Sequence, residues 1–163
     1  TYISLPNFNP IKTRLKFGLP LDLNMYFVPH TLFKIHEEYD DIIKSILEND
    51  PNGFVVFISG SKNKLKELLF KRLNKNLGKL INSVRFVPYQ EELSDFLQLL
   101  NCSDIILDSY PFGGCNSSFE AFSLGKIVIT RPGNFINGRF TYGLYKKMGI
   151  MDLINRYQAV LIF

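Results

Sequence analysis

Residues 104–125 read Asp-Ile-Ile-Leu-Asp-Ser-Tyr-Pro-Phe-Gly-Gly-Cys-Asn-Ser-Ser-Phe-Glu-Ala-Phe-Ser-Leu-Gly, and their order decides the fold. The apolar run Ile105-Ile106-Leu107, bounded by Asp104 and Asp108, predicts a short strand buried on both faces. Pro111-Phe112-Gly113-Gly114 then forms a turn that neither a helix nor a central strand would carry. Asn116, Ser117 and Ser118 are residue types that start helices. A strand, a glycine turn and a polar helix start together present free backbone N–H groups to an anion. The paired glycines let that anion approach without meeting a Cβ.

Working outward, the same alternation recurs. A strand is expected at 24–28, closed by Pro29, then a loop His30-Thr31-Leu32-Phe33-Lys34 and a helix from Glu37 to about Asn49. The acidic residues Glu37, Glu38, Asp40 and Asp41 crowd that helix start, where they complement the dipole rather than bind a metal. Phe54-Val55-Val56-Phe57-Ile58 reads as a central strand, and 84–87 as another ending at Pro88. Helices are expected at 61–78 and at 91–100, the latter with Leu93, Phe96, Leu97 and Leu100 on one face. A fifth strand at 126–130, a helix at 138–147 and a shorter one after Ile150 complete the series. Residues 1–23, with Pro6, Pro10 and Pro20, read as a linker or extended arm.

Strands alternating with helices imply right-handed βαβ units. The expected fold is therefore α/β: a Rossmann-like parallel sheet of about five strands with helices on both faces. The division expected is 1–23 linker, 24–155 lobe and 156–163 truncated tail, in a piece of a longer chain. In such sheets ligands lie outside the carboxyl ends of the strands, which draws attention to loops 29–34, 59–61, 88–90, 108–118 and 131–139.

The 163 residues suffice for one domain, and no run approaches the ~18–20 apolar residues of a membrane span. The net charge of +4 gathers in Lys62, Lys64, Lys66, Lys71, Arg72, Lys75 and Lys79, interleaved with leucines at helical spacing. That pattern reads first as the solvated face of an amphipathic helix and second as a nucleic-acid patch. Cys102 and Cys115 make no metal-ligand spacing with His30 and His36 and form no disulfide framework, so a reducing compartment is expected.

Several chemistries are excluded by motif. The loop after the first strand lacks the Gly-x-Gly-x-x-Gly of dinucleotide binding, and Gly60-Ser61-Lys62 lacks the first glycine of a Walker loop. No Asp-x-Asp is present to hold a metal on a diphosphate, and no serine or cysteine hydrolase pattern occurs. Ser117-x-x-Glu120 is also a capping box, in which Glu120 would return to the backbone of Ser117. His30 and His36 read as a polar loop residue and a helix-start residue. Tyr142, Tyr145 and Met148 read as packing, and Arg139 as bridging loop carbonyls or touching a ligand.

Phe27-Val28-Pro29-His30-Thr31-Leu32-Phe33-Lys34-Ile35-His36 resembles a Cys-Pro-Gln-Ser-Leu-Phe-Lys-Ile-His segment of the O-linked N-acetylglucosamine transferases and their SPINDLY-like and bacterial relatives. Leu107-Asp108, Pro111-Phe112-Gly113-Gly114, Asn116-Ser117-Ser118-Phe119-Glu120-Ala121 and Gly125 resemble that family's donor segment. So do Gly138 to Ile150 and Thr13-Arg14 with Phe17-Gly18-Leu19-Pro20. The resemblance covers residues 11–155. It implies the carboxy-terminal lobe of a GT-B glycosyltransferase, binding UDP-N-acetylglucosamine and transferring the sugar with inversion to protein Ser/Thr, without metal or other cofactor. It further implies that Lys34 contacts the diphosphate as a catalytic group, with Thr31 beside it. Gly113, Gly114, Asn116, Ser117 and Ser118 would hold the diphosphate, and Glu120 the ribose hydroxyls. The Pro88-Tyr89-Gln90 loop would lie near uracil. The animal enzymes' His-Thr-Thr-Gly reads Cys115-Asn116-Ser117-Ser118 here, closer to the SPINDLY-like pattern. The implied partners are a UDP-sugar and a protein acceptor, the latter through a missing amino-terminal half with tetratricopeptide repeats. Neither nucleic acid nor membrane is expected, and the compartment would be cytoplasmic or nucleocytoplasmic. Two alternatives stand beside this reading: the nucleotide-sugar lobe of another GT-B enzyme, and a non-enzymatic α/β module with a basic partner-binding helix.

Overall fold

A computed structural model describes residues 8–60, 63–152 and 154. Five parallel strands lie in the order β3-β2-β1-β4-β5. They are β1 (Asn24–Val28), β2 (Gly53–Ile58), β3 (Val84–Val87), β4 (Ile105–Leu107) and β5 (Val128–Ile129). The helices are α1 (Pro10–Lys16), α2 (Glu38–Asn49), α3 (Asn63–Leu77), α4 (Leu93–Cys102), α5 (Asn116–Ser123) and α6 (Phe140–Met148). The expected fold class is the one observed.

The strands are mostly apolar because both faces of the sheet are covered, Asn24 at the start of β1 and Arg85 in β3 being the exposed exceptions. Met25, Phe27, Phe54, Val56, Val87, Ile106 and Val128 point into one core with Leu99 and Leu100 of α4, Ala121 of α5 and Tyr145 of α6. Tyr26, Val28, Val55, Phe57, Val84 and Leu107 point into the other, against Ile43 and Ile46 of α2 and Leu69 and Leu73 of α3. The chain winds outward from β1 to β3, crosses back through α4, and places β4 on the free side of β1. Register is set by pairs such as Phe27 with Val56 and Phe27 with Ile106. The direction of winding reverses between β1 and β4, so the loops after those two strands part and leave a crevice.

Three expectations need correction. Part of the segment read as a linker is α1: Asn9 caps it by accepting the Lys12 N–H at 3.1 Å, and Pro10 stands where its missing N–H is harmless. Arg14 on α1 is buried, and its guanidinium donates to the carbonyls of Cys102, Pro20, Leu21 and Leu23 and to Asp104. The capping box does not form either: α5 begins after Cys115, with no side-chain cap. Beyond Ile150 the described residues form no helix; Ile154 instead makes a parallel bridge with Thr130. The expected tail at 156–163 lies outside the described residues, as do residues 1–7.

Smaller differences have local causes. Leu93 opens α4 and is 59% exposed rather than packed. Met148, expected to pack, is exposed, whereas Tyr145 is buried and donates its hydroxyl to the Val128 carbonyl at 2.8 Å. In α3 the basic stripe loses Arg72, which turns inward to both carboxylate oxygens of Asp40 on α2, each at 2.9 Å.

Candidate functional site

The crevice between the β1 and β4 loops is organised by Asp108, the first residue after β4. Its Oδ1 accepts the Gly114 N–H at 2.6 Å and its Oδ2 the Thr130 hydroxyl at 2.8 Å. The Tyr39 hydroxyl donates to its carbonyl at 3.0 Å. These bonds fold the turn back against the sheet end and set where α5 begins. Gly113 and Gly114 are buried in that turn. A Cβ on Gly114 would lie 2.6 Å from both His30 Nε2 and Ser117 Oγ, and 2.8 Å from Ser118 Oγ. Only glycine fits there. Gly113 donates its N–H to the Asn137 carbonyl at 3.0 Å, which ties the turn to the loop before α6.

Lys34, in a short 3-10 turn after β1, donates to the Gly113 carbonyl at 3.2 Å, with its ammonium 4.0 Å from the Phe112 ring centre. Partial burial lowers its pKa, while the charge of Asp108 opposes that shift. One hydrogen bond leaves two of the ammonium's three donors for a ligand. Ser117 sits in the first turn of α5, its Oγ 3.3 Å from His30 Nε2. The Gly113 and Gly114 N–H groups are already taken, and those of Ser118 and Phe119 donate to the Cys115 carbonyl at 3.1 and 3.2 Å. That leaves the N–H groups at the very start of α5, with the positive end of its dipole, for an anion. Lys34, Gly113, Gly114 and Ser117 are thus brought together.

Beside them lies a cleft of about 320 Å³, lined by Pro29, His30, Thr31, Gly60, Gln90 and Glu120 among others. It spans the carboxyl ends of β1, β2 and β3, and its volume suits a small organic ligand. Thr31 and Glu120 line this cleft, as does the 88–90 loop. Burial raises the pKa of Glu120. Asn116 is exposed at the start of α5. Ser118 is buried behind the Gly114 turn, its hydroxyl engaged 2.8 Å from Thr141 Oγ1 of α6. Arg139 donates to the Gly133 carbonyl at 2.9 Å, bridging its loop.

Sequence reasoning missed His30 and Asp108. His30 is 5% exposed, with its Nε2 3.5 Å from Asp108 Oδ1. Desolvation pushes its pKa down to about 4 against the raising influence of Asp108, and Lys34 lowers it further. The carboxylate beside Nε2 places the neutral ring's proton there, leaving Nδ1 as an acceptor. Nδ1 is buried with no hydrogen-bond partner among the described residues. Ser117, His30 and Asp108 do not form a nucleophilic triad, because the serine and the carboxylate both meet the same ring nitrogen. The available signal was a histidine directly after a strand-ending proline, and an aspartate directly after a buried strand.

Among the described residues no group of three His, Cys, Asp or Glu side chains is placed to hold a metal ion. Both cysteines are free. No described helix is long and apolar enough to cross a membrane.

No protein-family model matches the chain, and no curated protein does. Solved structures do. The O-GlcNAc transferase of Thermobaculum terrenum, in a mutant form, is 24% identical over 95% of this chain with a TM-score of 0.78; the match spans 28% of that enzyme's chain. The C-terminal domain of a group 1 glycosyl transferase from Francisella tularensis is 14% identical over 88% of this chain and 82% of its own, with a TM-score of 0.56. The Anabaena protein HepE, solved in complex with UDP, is 17% identical over 76% of this chain and 34% of its own, with a TM-score of 0.57. At these identities the likeness is one of architecture, and the chain has the fold of a GT-B glycosyltransferase lobe.

Proposed function

We propose that the chain is the donor-binding lobe of an inverting protein O-glycosyltransferase that uses a UDP-sugar, UDP-N-acetylglucosamine in the first instance. The observation that carries this reading is the meeting of Lys34 with the start of α5 across the Gly113-Gly114 turn, where the sheet reverses direction. A diphosphate seated there meets free N–H groups, the Ser117 hydroxyl and an ammonium. Uracil and ribose take the adjoining cleft, with Gln90 near the base and Glu120 accepting from the ribose hydroxyls. Thr31 stands between the two parts.

In the transfer, an acceptor serine or threonine hydroxyl attacks the anomeric carbon from the face opposite the diphosphate, giving up its proton to a base in the acceptor-binding half outside this chain. The bond from that carbon to the β-phosphate oxygen breaks, and UDP leaves with the bonding electron pair. Negative charge grows on the diphosphate, where Lys34 and the α5 start oppose it; this is the catalytic role of Lys34. A single mobile ammonium suits a charge that redistributes between phosphate oxygens. That arrangement supplies positive charge without a metal or other cofactor. The chain spans 28% of the Thermobaculum enzyme, so the acceptor-binding half, the helical repeats and the protein acceptor belong to the proposal as parts outside this chain. The two free thiols suit a reducing, cytoplasmic or nucleocytoplasmic compartment.

Titration calorimetry with UDP and UDP-N-acetylglucosamine tests the reading. Saturable binding is expected, weakened about 10- to 100-fold by Lys34→Met and less by Ser117→Ala, as expected for a charge-assisted hydrogen bond against a neutral one. Indifference to both nucleotides, with salt-sensitive binding of an oligonucleotide, would favour a basic-helix module instead.

A further inference from the structure

We propose that His30 is an additional diphosphate-facing group of this site, one that takes up a proton as the anion seats and stands as an imidazolium beside Lys34. The inference rests on reading the crevice as a nucleotide-sugar site and extends it to a residue the sequence presented as an ordinary loop position.

Geometry carries it. His30 closes the gap between the cleft and the anion-facing turn: it lines the first and lies 3.3 Å from Ser117 Oγ at the edge of the second. Its Nε2, Ser117 Oγ and Ser118 Oγ converge on the bare Cα of Gly114. Within the buried ring Nδ1 is unpartnered. A proton on Nδ1 therefore gains no acceptor in the free chain, and the ring remains neutral. The charged and titratable groups around it are Asp108 from the β4 loop, Lys34 from the turn after β1, Cys115 at the start of α5, and Tyr89, Glu91 and Glu120 along the cleft. Of these, Asp108 favours the imidazolium and Lys34 opposes it. Two carboxylate-bound donors, Gly114 N–H and the Thr130 hydroxyl, already draw on Asp108, so its pull is shared.

An incoming diphosphate changes that balance. It brings negative charge to within contact range of Lys34 and of the α5 start, and an opposite charge at such range favours the charged form of a neighbouring base. The proton comes from solvent. The free ring titrates near pH 4, and a rise to about 6 in the complex is the size an adjacent anion produces. Linkage then sets the direction: over the interval between the free and bound values, binding takes up a proton, so affinity strengthens as pH falls.

UDP-N-acetylglucosamine is the probe, because its diphosphate is esterified at both ends and has no ionisation of its own near neutrality. Histidine Hε1 resonances are followed against pH with and without saturating ligand, the His30 signal being identified with His36→Gln. Calorimetry at pH 5.5 in buffers of different ionisation enthalpy counts the protons. The expected results are a His30 titration moved up to about 6, uptake of about 0.7 proton, and affinity about fourfold tighter at pH 5.5 than at pH 7.5. His30→Asn should abolish the uptake and level the pH dependence. Saturable binding with an unmoved His30 titration, or with uptake that persists in His30→Asn, overturns the inference and leaves the nucleotide-sugar reading standing. No saturable binding overturns both. The resonance measurement uses the unmutated chain, so it decides the matter even if His30→Asn does not fold.

Discussion

Folding strips His30 of its hydration and gives back only a weak approach to Ser117 and Asp108, so the ring stays neutral to about pH 4. The unfolded chain binds that proton from about pH 6.5 downward. Between those values the unfolded state holds more protons than the folded one, so stability falls as pH falls through the window and the loss is complete below about 4. One group shifted this far accounts for about 3 kcal/mol. Urea unfolding at pH 7.5 and 4.5 should show the decline, and His30→Asn should remove about 2–3 kcal/mol of it. Equal acid sensitivity in both proteins would mean that other groups account for it. A single residue thus links the stability of the lobe to the chemistry of its crevice, because the burial that keeps the ring neutral is what an arriving anion would offset.

Between elements, an ionic contact adds to the apolar packing of α2 against α3. Asp40 is 1% exposed and is held by Arg72 and by Asn76 Nδ2 at 2.7 Å, while the arginine side chain remains 32% exposed. The asymmetry decides which partner matters more. Arg72→Met strands a buried carboxylate and should cost about 3–5 kcal/mol. Asp40→Leu frees a guanidinium that can rehydrate, and should cost less. Chemical unfolding of the two variants and the double variant checks this, and equal single losses would contradict it. The sequence could place both residues on helices but not pair them, since the stripe of lysines around Arg72 looks the same whether or not one member turns inward. Strands were legible to the residue at Asn24–Val28 and Val84–Val87, because each is a short, mostly apolar run closed by a proline, with only Asn24 and Arg85 exposed. Helix α1 was obscured by the prolines around it, although Asn9-Pro10 is itself a helix-start signal. Of the candidate site, the local parts were readable: a glycine turn, a polar helix start and a lysine in the loop after β1. The His30, Asp108 and Thr130 contacts were not, because they join three loops that only the strand order brings together.

The strand order also separates the molecule into two ends with different work. At the carboxyl ends of the strands lies the crevice; at the amino ends, Arg14 closes the sheet like a clasp. Its guanidinium reaches the carbonyls of Leu23, just before β1, and Cys102, just before β4, and pairs with Asp104 at 2.8 Å. Asp104 in turn accepts the Met25 N–H at 2.6 Å. The clasp therefore joins the two strands between which the winding reverses, at the end opposite to the one where their loops part. Arg14→Met would leave buried carbonyls without donors and should lower stability by about 2–4 kcal/mol, read as a reduced urea midpoint. A chain beginning at residue 24 loses the clasp and removes Phe17 and Leu19 from the core that also holds Leu99 and Leu100 of α4, so its midpoint should fall further. Affinity for UDP-N-acetylglucosamine should nevertheless stay within about twofold in Arg14→Met under conditions where it is folded, since mutations at well-separated sites without shared partners act independently. Nucleotide affinity that fell in step with stability would mean that the spacing of β1 and β4 at one end is transmitted to the crevice at the other. The sheet would then have to behave as a single lever about its reversal point, rather than as a rigid support with an independent clasp.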